Sequence, residues 1–158
     1  WSFTATDLSA TMLDKAKHYI QPLDALHRVE FVLADVDQLK TDSIYDAALS
    51  ILVTHFVPYA HKPEFFKAIV SRLKQQGVFI GFDLTAMNTD QERGMLQHIC
   101  EANGLSTAQS SAMLNRLADD FYPLSEQETF EQLSSAGFAS VRRFTQVLSY
   151  QGIMALKV

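Results

Sequence analysis

Apolar and polar positions alternate along the chain as short extended runs and helical stripes. Phe3-Thr4-Ala5-Thr6 is an extended segment ending at Asp7. Ser9 is placed to cap the helix that follows, with Leu8 before the cap and Leu13 four residues after it as a hydrophobic staple. Met12, Leu13, Ala16, Tyr19 and Ile20 recur at helical spacing, and Pro22 ends the pattern. Val29 to Ala34 reads as a strand that stops at Asp35. A polar turn over Lys40 to Ser43 leads to Tyr45–Val53, whose nearly continuous apolar character predicts a strand with both faces buried, as in the middle of a parallel sheet.

The next helix is predicted from about Pro63 to Gln75. Pro63 suits its first turn, Phe65, Phe66, Ile69, Val70 and Leu73 form its apolar face, and Gly77 suits the position past its end. Val78 to Asp83 is another buried strand. Strands and helices therefore alternate, which predicts a parallel sheet with helical layers. From Met87 to Asp120 the chain turns polar and helix-prone, with a break at Asn103-Gly104. Ser125 to Ser135 is a further helix, with Glu128 at the capping-box position and Gly137 as terminator. Two closing strands, Val141 to Tyr150 and Ile153 to Leu156, are joined by a predicted turn at Gln151-Gly152. The expected organisation is one domain over residues 1–158, with residues 87–124 as a helical insertion or lid.

Composition narrows the function classes. The 158 residues are 47% hydrophobic and 20% charged, the size and balance of a compact domain. Thirteen Lys and Arg stand against 18 Asp and Glu, a formal charge of −5, so the sequence carries no strong nucleic-acid signal. No apolar run reaches the roughly 18–20 residues of a membrane span, and no membrane association is expected. No basic-then-apolar stretch opens the chain, and Cys100 is its one cysteine, which together lead us to expect a reducing cytoplasm. His18, His27, His61 and His98 show no ligand spacing, so no metal is expected. The chain begins at Trp1, and all six glycines lie from residue 77 onward. A Gly-rich phosphate loop is thus absent from the first 76 residues, where an α/β nucleotide-binding protein normally has one.

Asp7 and Asp35 both stand where a predicted parallel strand gives way to a loop, and open α/β sheets bind ligands beyond such strand ends. A carboxylate there can accept hydroxyl protons of a ribose or a proton of an exocyclic amine; the plainer alternative is a helix cap or a solvated turn. The segments carrying these acids resemble class I S-adenosylmethionine-dependent methyltransferases. Thr4 to Ser9 followed by Met12-Leu13 and Ala16 looks like that family's second strand and helix, and Phe31 to Val36 like its third strand. Tyr45 to Ser50 with Thr54-His55-Phe56-Val57 looks like the fourth strand and its exit loop. Leu73 to Val78 is similar to the turn before the fifth strand, with Gln75 and Gln76 replacing Pro and Gly, and Ala136-Gly137-Phe138 with the closing strands looks like the antiparallel end of the sheet. The segments 102–106, 125–138 and 149–156 are similar to the carboxy-S-adenosylmethionine synthase subgroup, although Ser111 stands where that subgroup has an arginine.

The resemblance implies an α/β fold: a Rossmann-like methyltransferase sheet, mostly parallel, with a C-terminal antiparallel hairpin, lacking the first strand and the Gly-rich loop. A second chain, a rearranged strand order or an upstream segment is expected to fill that gap, and a homodimer is the expectation drawn from it. The implied cofactor is S-adenosyl-L-methionine. Asp7 and Leu8 would meet its ribose, Asp35 and Val36 its adenine, and Ser50 and Ile51 its methionyl end. His55, on the exit loop, is the candidate base, and Tyr59 and Tyr122 are candidates for lining an acceptor pocket; the alternative for all three is packing. The implied activity is methyl transfer to a small-molecule or tRNA acceptor. The alternative is a shortened, non-catalytic relative acting as a binding or oligomerising module. Asp119-Asp120, Arg142-Arg143 and Cys100 are read as a solvated helix end, a surface pair and a small buried side chain.

Overall fold

The computed structural model describes residues 1–40, 44–87 and 89–158, with the backbone alone at position 118. Most of the polar turn expected over Lys40 to Ser43 lies outside the described residues. The chain divides into two compact units, Trp1–Ser43 and Ile44–Val158.

In the first unit, β1 (Phe3–Asp7) and β2 (Val29–Leu33) pair in parallel, with Asp7 opposite Leu33. The chain crosses between them through α1 (Ala10–Ile20), whose Ser9 Oγ accepts from the Met12 N–H at 3.3 Å as the sequence predicts. Leu13 buries against this pair, but Leu8 is 71% exposed, so the expected staple is not made. Pro22 lies in a short 3-10 turn directly after the helix. The Arg28 Nε–H donates to the Trp1 carbonyl at 2.8 Å, and Lys17 lies over the Phe31 ring.

The second unit is a four-stranded sheet in the order β3 (Tyr45–Ile51), β4 (Leu73–Leu84), β6 (Tyr150–Lys157), β5 (Phe138–Val147). β3 and β4 are parallel, whereas β4–β6 and β6–β5 are antiparallel. The α/β class and the antiparallel end match expectation. β3 has a single neighbour in this sheet, and its Leu49 and Ile51 are about half exposed, so the expectation of a strand buried on both faces is not met.

The helices are α2 (Lys62–Ser71), α3 (Asp90–Ala102), α4 (Thr107–Asp119) and α5 (Glu126–Ala136). α2 stops at Ser71 rather than Gln75: Leu73 already pairs opposite Tyr45, and ladder bonds replace another helical turn. Its Phe66 meets Phe79 of β4, which in turn meets Phe138 of β5, with ring centroids 6.2 and 5.6 Å apart. Together with Leu133 of α5 these side chains are almost fully enclosed; each contributes about 2–3 kcal/mol by leaving water. α3, α4 and α5 each begin with a capping box, and Gly137 ends α5 at a φ of 114°, which a side chain would strain.

The hairpin turn is displaced from its expected place. It falls on Leu148-Ser149, with Leu148 at a φ of 53°, while Gln151 and Gly152 lie within β6 opposite Gln146 and Thr145. Gly152 serves close approach instead of turning: a methyl there would meet Thr145 Cγ2 at 2.5 Å and Phe144 Cζ at 2.6 Å. Arg142 and Arg143 pair with consecutive residues of β6, Met154 and Ile153, and both are exposed; a register irregularity follows between Arg143 and Thr145.

Gly152→Ala therefore destabilises the chain by about 1–3 kcal/mol through overpacking. In α3 the Gly94→Ala methyl meets nothing within 4 Å; that change stabilises by up to about 1 kcal/mol. Urea denaturation of both variants beside the parent chain measures the two effects.

Candidate functional site

Parallel strands end in loops whose first amides lack ladder partners, and acidic side chains meet them at three places. In the first unit, Asp7 closes β1 and its Oδ1 accepts the Ser9 N–H at 2.7 Å. No described residue donates to its Oδ2. Asp35 follows β2, accepts the Val36 N–H at 2.6 Å and opens a short 3-10 turn over Val36–Gln38; Gln38 Oε1 returns to the Asp35 N–H at 3.2 Å. The Ala34 N–H also donates to the Asp7 carbonyl at 3.2 Å, so both acids stand at the carboxyl end of one strand pair, each half-buried. Asp7, Leu8, Asp35 and Val36 thus share one end of the first unit. Both carboxylates cap the local backbone, and the Val36 amide is occupied by the side chain preceding it.

The third acid, Asp83 near the end of β4, escaped the sequence reading as a functional residue. Its Oδ2 accepts the Thr54 N–H at 2.5 Å and the His55 N–H at 3.3 Å. Its Oδ1 accepts the Leu84 N–H at 2.7 Å and pairs with His55 Nδ1. One carboxylate therefore fixes the loop that leaves β3, and the visible signal was an acid ending an apolar strand. The His55 ring is 7% exposed, wedged between Phe56 and Phe121 at centroid distances of 4.2 and 4.9 Å. Its carbonyl accepts the Tyr122 N–H at 2.7 Å.

Lys62 was likewise missed. It opens α2, and because helical side chains lean toward the N-terminus, its ammonium returns to the same loop and donates to the Thr54 carbonyl at 2.5 Å. The side chain is fully buried. Burial pushes its pKa down to about 8, partly opposed by the charge of Asp83. Lys62, Asp83, Thr54 and His55 border a partly open pocket of about 40 Å³, lined further by Phe66, Leu124 and Gln151.

The remaining candidates divide. Tyr59 and Tyr122 meet edge to face at 5.5 Å, and the Tyr59 hydroxyl donates to the Pro123 carbonyl at 3.1 Å. Desolvation holds the Tyr59 phenol above its ordinary pKa, with the Glu128 charge adding to the effect. Ser50 and Ile51 end β3, and Ser50 Oγ lies 3.3 Å from Thr54 Oγ1. His55, Tyr59 and Tyr122 are thus brought together, with Ser50 joined to them through Thr54. Asp120 pairs with Arg116 at a helix end, Arg143 with Glu126, and Cys100 lies beside Met113. Among the described residues, no three His, Cys, Asp or Glu side chains gather as a metal site, and no helix is long and apolar enough to cross a membrane.

Comparison with known proteins adds family information to this geometry. Residues 1–77 match the family model described as a methyltransferase domain. The chain is 26% identical over 160 residues to the carboxy-S-adenosyl-L-methionine synthase of Pseudomonas fluorescens strain SBW25, a match that covers 96% of this chain and 64% of that protein. The chain therefore spans a little under two thirds of the length of that curated relative. Among solved structures, the magnesium protoporphyrin IX methyltransferase of Synechocystis PCC 6803, with S-adenosylhomocysteine bound, superposes with a TM-score of 0.64 at 17% identity, covering 98% of this chain and 63% of the other. An O-methyltransferase family protein from Burkholderia thailandensis gives a TM-score of 0.66 at 15% identity, covering 98% and 42%. This chain resembles the class I S-adenosylmethionine-dependent methyltransferases in sequence and has their Rossmann-like fold.

The buried ammonium has a measurable consequence. The folded state holds Lys62 near 8, against an ordinary value of 10.5. Above pH 8 the unfolded chain therefore binds the extra proton, and stability rises with pH. The raised Tyr59 phenol works in the opposite direction above pH 10. Between pH 8 and 10 the unfolding free energy gains on the order of 1–2 kcal/mol from Lys62. Denaturation across that window shows the rise in the parent chain and its loss in Lys62→Met.

Proposed function

We propose that this chain binds S-adenosyl-L-methionine and transfers its methyl group to a small-molecule acceptor. The observation that carries this reading is the placement of Asp7 and Asp35 at the carboxyl ends of neighbouring parallel strands, with one oxygen of Asp7 free of any described partner. Ligands of open α/β sheets lie beyond such ends, and the match over residues 1–77 covers both acids.

When bound, the cofactor supplies an electrophilic methyl carbon on a sulfonium. Asp7 would accept hydrogen bonds from the ribose hydroxyls through Oδ2 while Oδ1 stays on the Ser9 N–H, and Leu8 would meet the sugar. Asp35 would accept from the adenine amine, which would require it to turn from the Val36 amide and free that N–H for the ring. In the second unit, Ser50 and Ile51 are the residues that the resemblance assigns to the methionyl end. His55 would accept the proton of the acceptor group. Tyr59 and Tyr122 would line the acceptor side. Holding donor and acceptor at near-attack distance supplies most of the rate.

A small acceptor is favoured over tRNA by the net charge of −5, which repels a phosphate backbone. Methyl transfer is favoured over the carboxy-cofactor synthesis for which the relatives are named, because Ser111 cannot supply the positive charge that holds an extra carboxylate. A reducing cytoplasm fits the single cysteine, and a homodimer would give the free edge of β3 a partner.

Isothermal calorimetry with S-adenosylhomocysteine tests the reading. Micromolar binding is expected, weakened about 10–100-fold in Asp7→Ala as charge-assisted hydrogen bonds are lost. No heat at millimolar ligand, or equal affinity in the variant, contradicts it.

A further inference from the structure

The wall of the pocket beside Lys62 holds two hydrogen-bonding groups that the protein leaves unmatched, one a donor and one an acceptor. Lys62 is fully buried, and of the three protons on its ammonium one goes to the Thr54 carbonyl. No other described group accepts a hydrogen bond from it. Gln151 of β6 is 6% exposed, and its Oε1 has no described partner. A buried polar atom left in this way is uncommon and costly.

Charge fixes the orientation of the Gln151 amide. Its Nε2–H donates to Glu126 Oε2 at 3.3 Å, and the same oxygen receives the Arg143 Nη1–H at 2.5 Å. Turning the amide over would set its carbonyl against that carboxylate, so Oε1 must find a donor elsewhere. Thr85 and Thr129 line the same pocket, but their hydroxyls donate to the carbonyls of Ser149 and Ser125 at 2.9 and 2.8 Å. Neither is left to answer Gln151.

The partly open pocket that Lys62 and Gln151 share measures about 40 Å³, room for about three water-sized groups. Phe66, Phe79 and Leu84 give it an apolar wall. Asp83 also lines it, with oxygens already taken by the N–H groups of Thr54, His55 and Leu84. The charges of Lys62 and Asp83 balance, so an entering anion would be an unanswered charge in an enclosed place. An anion also brings no proton for Gln151. The two unmatched atoms together call for an uncharged group that accepts from the ammonium and donates to the amide oxygen, carried on a short apolar stem.

We propose that this pocket binds such a tip, of which a primary carboxamide and a hydroxymethyl group are the simplest forms, with Lys62 and Gln151 as the pair that selects it. His55 borders the same pocket. Resting on the reading of His55 as the base, the methyl acceptor is the molecule that carries the tip. Water is the competing occupant, since it too can accept from one group and donate to the other.

NMR of the whole chain, without cofactor, tests this by titration with acetamide and, separately, with acetate at matched ionic strength. The two probes share size and shape and differ in charge and in the donor. Acetamide is expected to give saturable shifts at the Gln151 side-chain amide, Lys62 Cε and the His55 ring, with a Kd of about 1–50 mM, the range open to a ligand of so few atoms. Acetate is expected to bind at least tenfold more weakly, and Gln151→Leu to weaken acetamide at least fivefold. Absence of a saturable shift, or acetate binding as well as acetamide, overturns the proposal without recourse to any variant, so poor folding of Gln151→Leu does not shield it. Unchanged acetamide affinity in a folded Gln151→Leu overturns it equally. Saturation at Gln151 and Lys62 with no response at His55 overturns the assignment of the tip to the methyl acceptor. The titration needs no S-adenosylhomocysteine, so failure of the methyltransferase reading and failure of this one are separately visible.

Discussion

The interaction on which this structure depends most is a carboxylate accepting backbone N–H groups where a parallel strand ends. A parallel ladder leaves the following loop without partners for its first amides, and an unpaired amide is costly when buried. Asp7 meets the Ser9 amide, Asp35 the Val36 amide, and Asp83 those of Thr54, His55 and Leu84. The same chemistry that orders these loops also places negative charge at the strand ends, where a nucleoside or a histidine can use it. Capping and binding are therefore not rival roles for Asp7, since one oxygen serves the loop and the other has no described partner.

Asp35 differs from Asp7 in kind. Its side chain occupies the amide that the methyltransferase resemblance assigns to the adenine ring. A ligand bound there would exchange an internal hydrogen bond for an external one, so its net gain would be smaller than at Asp7. The centre of the second unit uses charge more heavily. Lys62 begins α2, reaches back to Thr54 and lies buried near Asp83, so a helix start, a loop and a strand end are tied at one point. The match to the methyltransferase-domain model over residues 1–77 includes Asp7, Asp35, His55 and Lys62.

Much of this was legible in the sequence, because the signals were local. Ser9 and Ser125 cap the helices they precede, and Gly137 ends α5 in the left-handed conformation its position suggests. The failures came where pairing across the sheet overrode a local signal. Gly152 resembles a turn residue, but its missing side chain makes room for Phe144 and Thr145 across the hairpin. Leu148 takes the turn at positive φ with no glycine or asparagine to announce it. Leu73 fits an apolar helical stripe, yet the ladder with Tyr45 claims it. Of the site, Asp7, Asp35 and His55 could be read because each stands at a strand end or on its exit loop. Lys62 and Asp83 could not, since a lysine opening a helix reads as solvated and only the third dimension shows it enclosed.

The central claim is that strand-end carboxylates order their loops and that those of the first unit also receive the nucleoside. Amide hydrogen exchange, compared with and without millimolar S-adenosylhomocysteine, tests this most directly. The account predicts that Thr54, His55 and Leu84 exchange slowly in both states, and that Ser9 and Val36 slow down when the ligand is present. Fast exchange at Thr54 and His55 in the free chain, or no response at Ser9 and Val36, would contradict it.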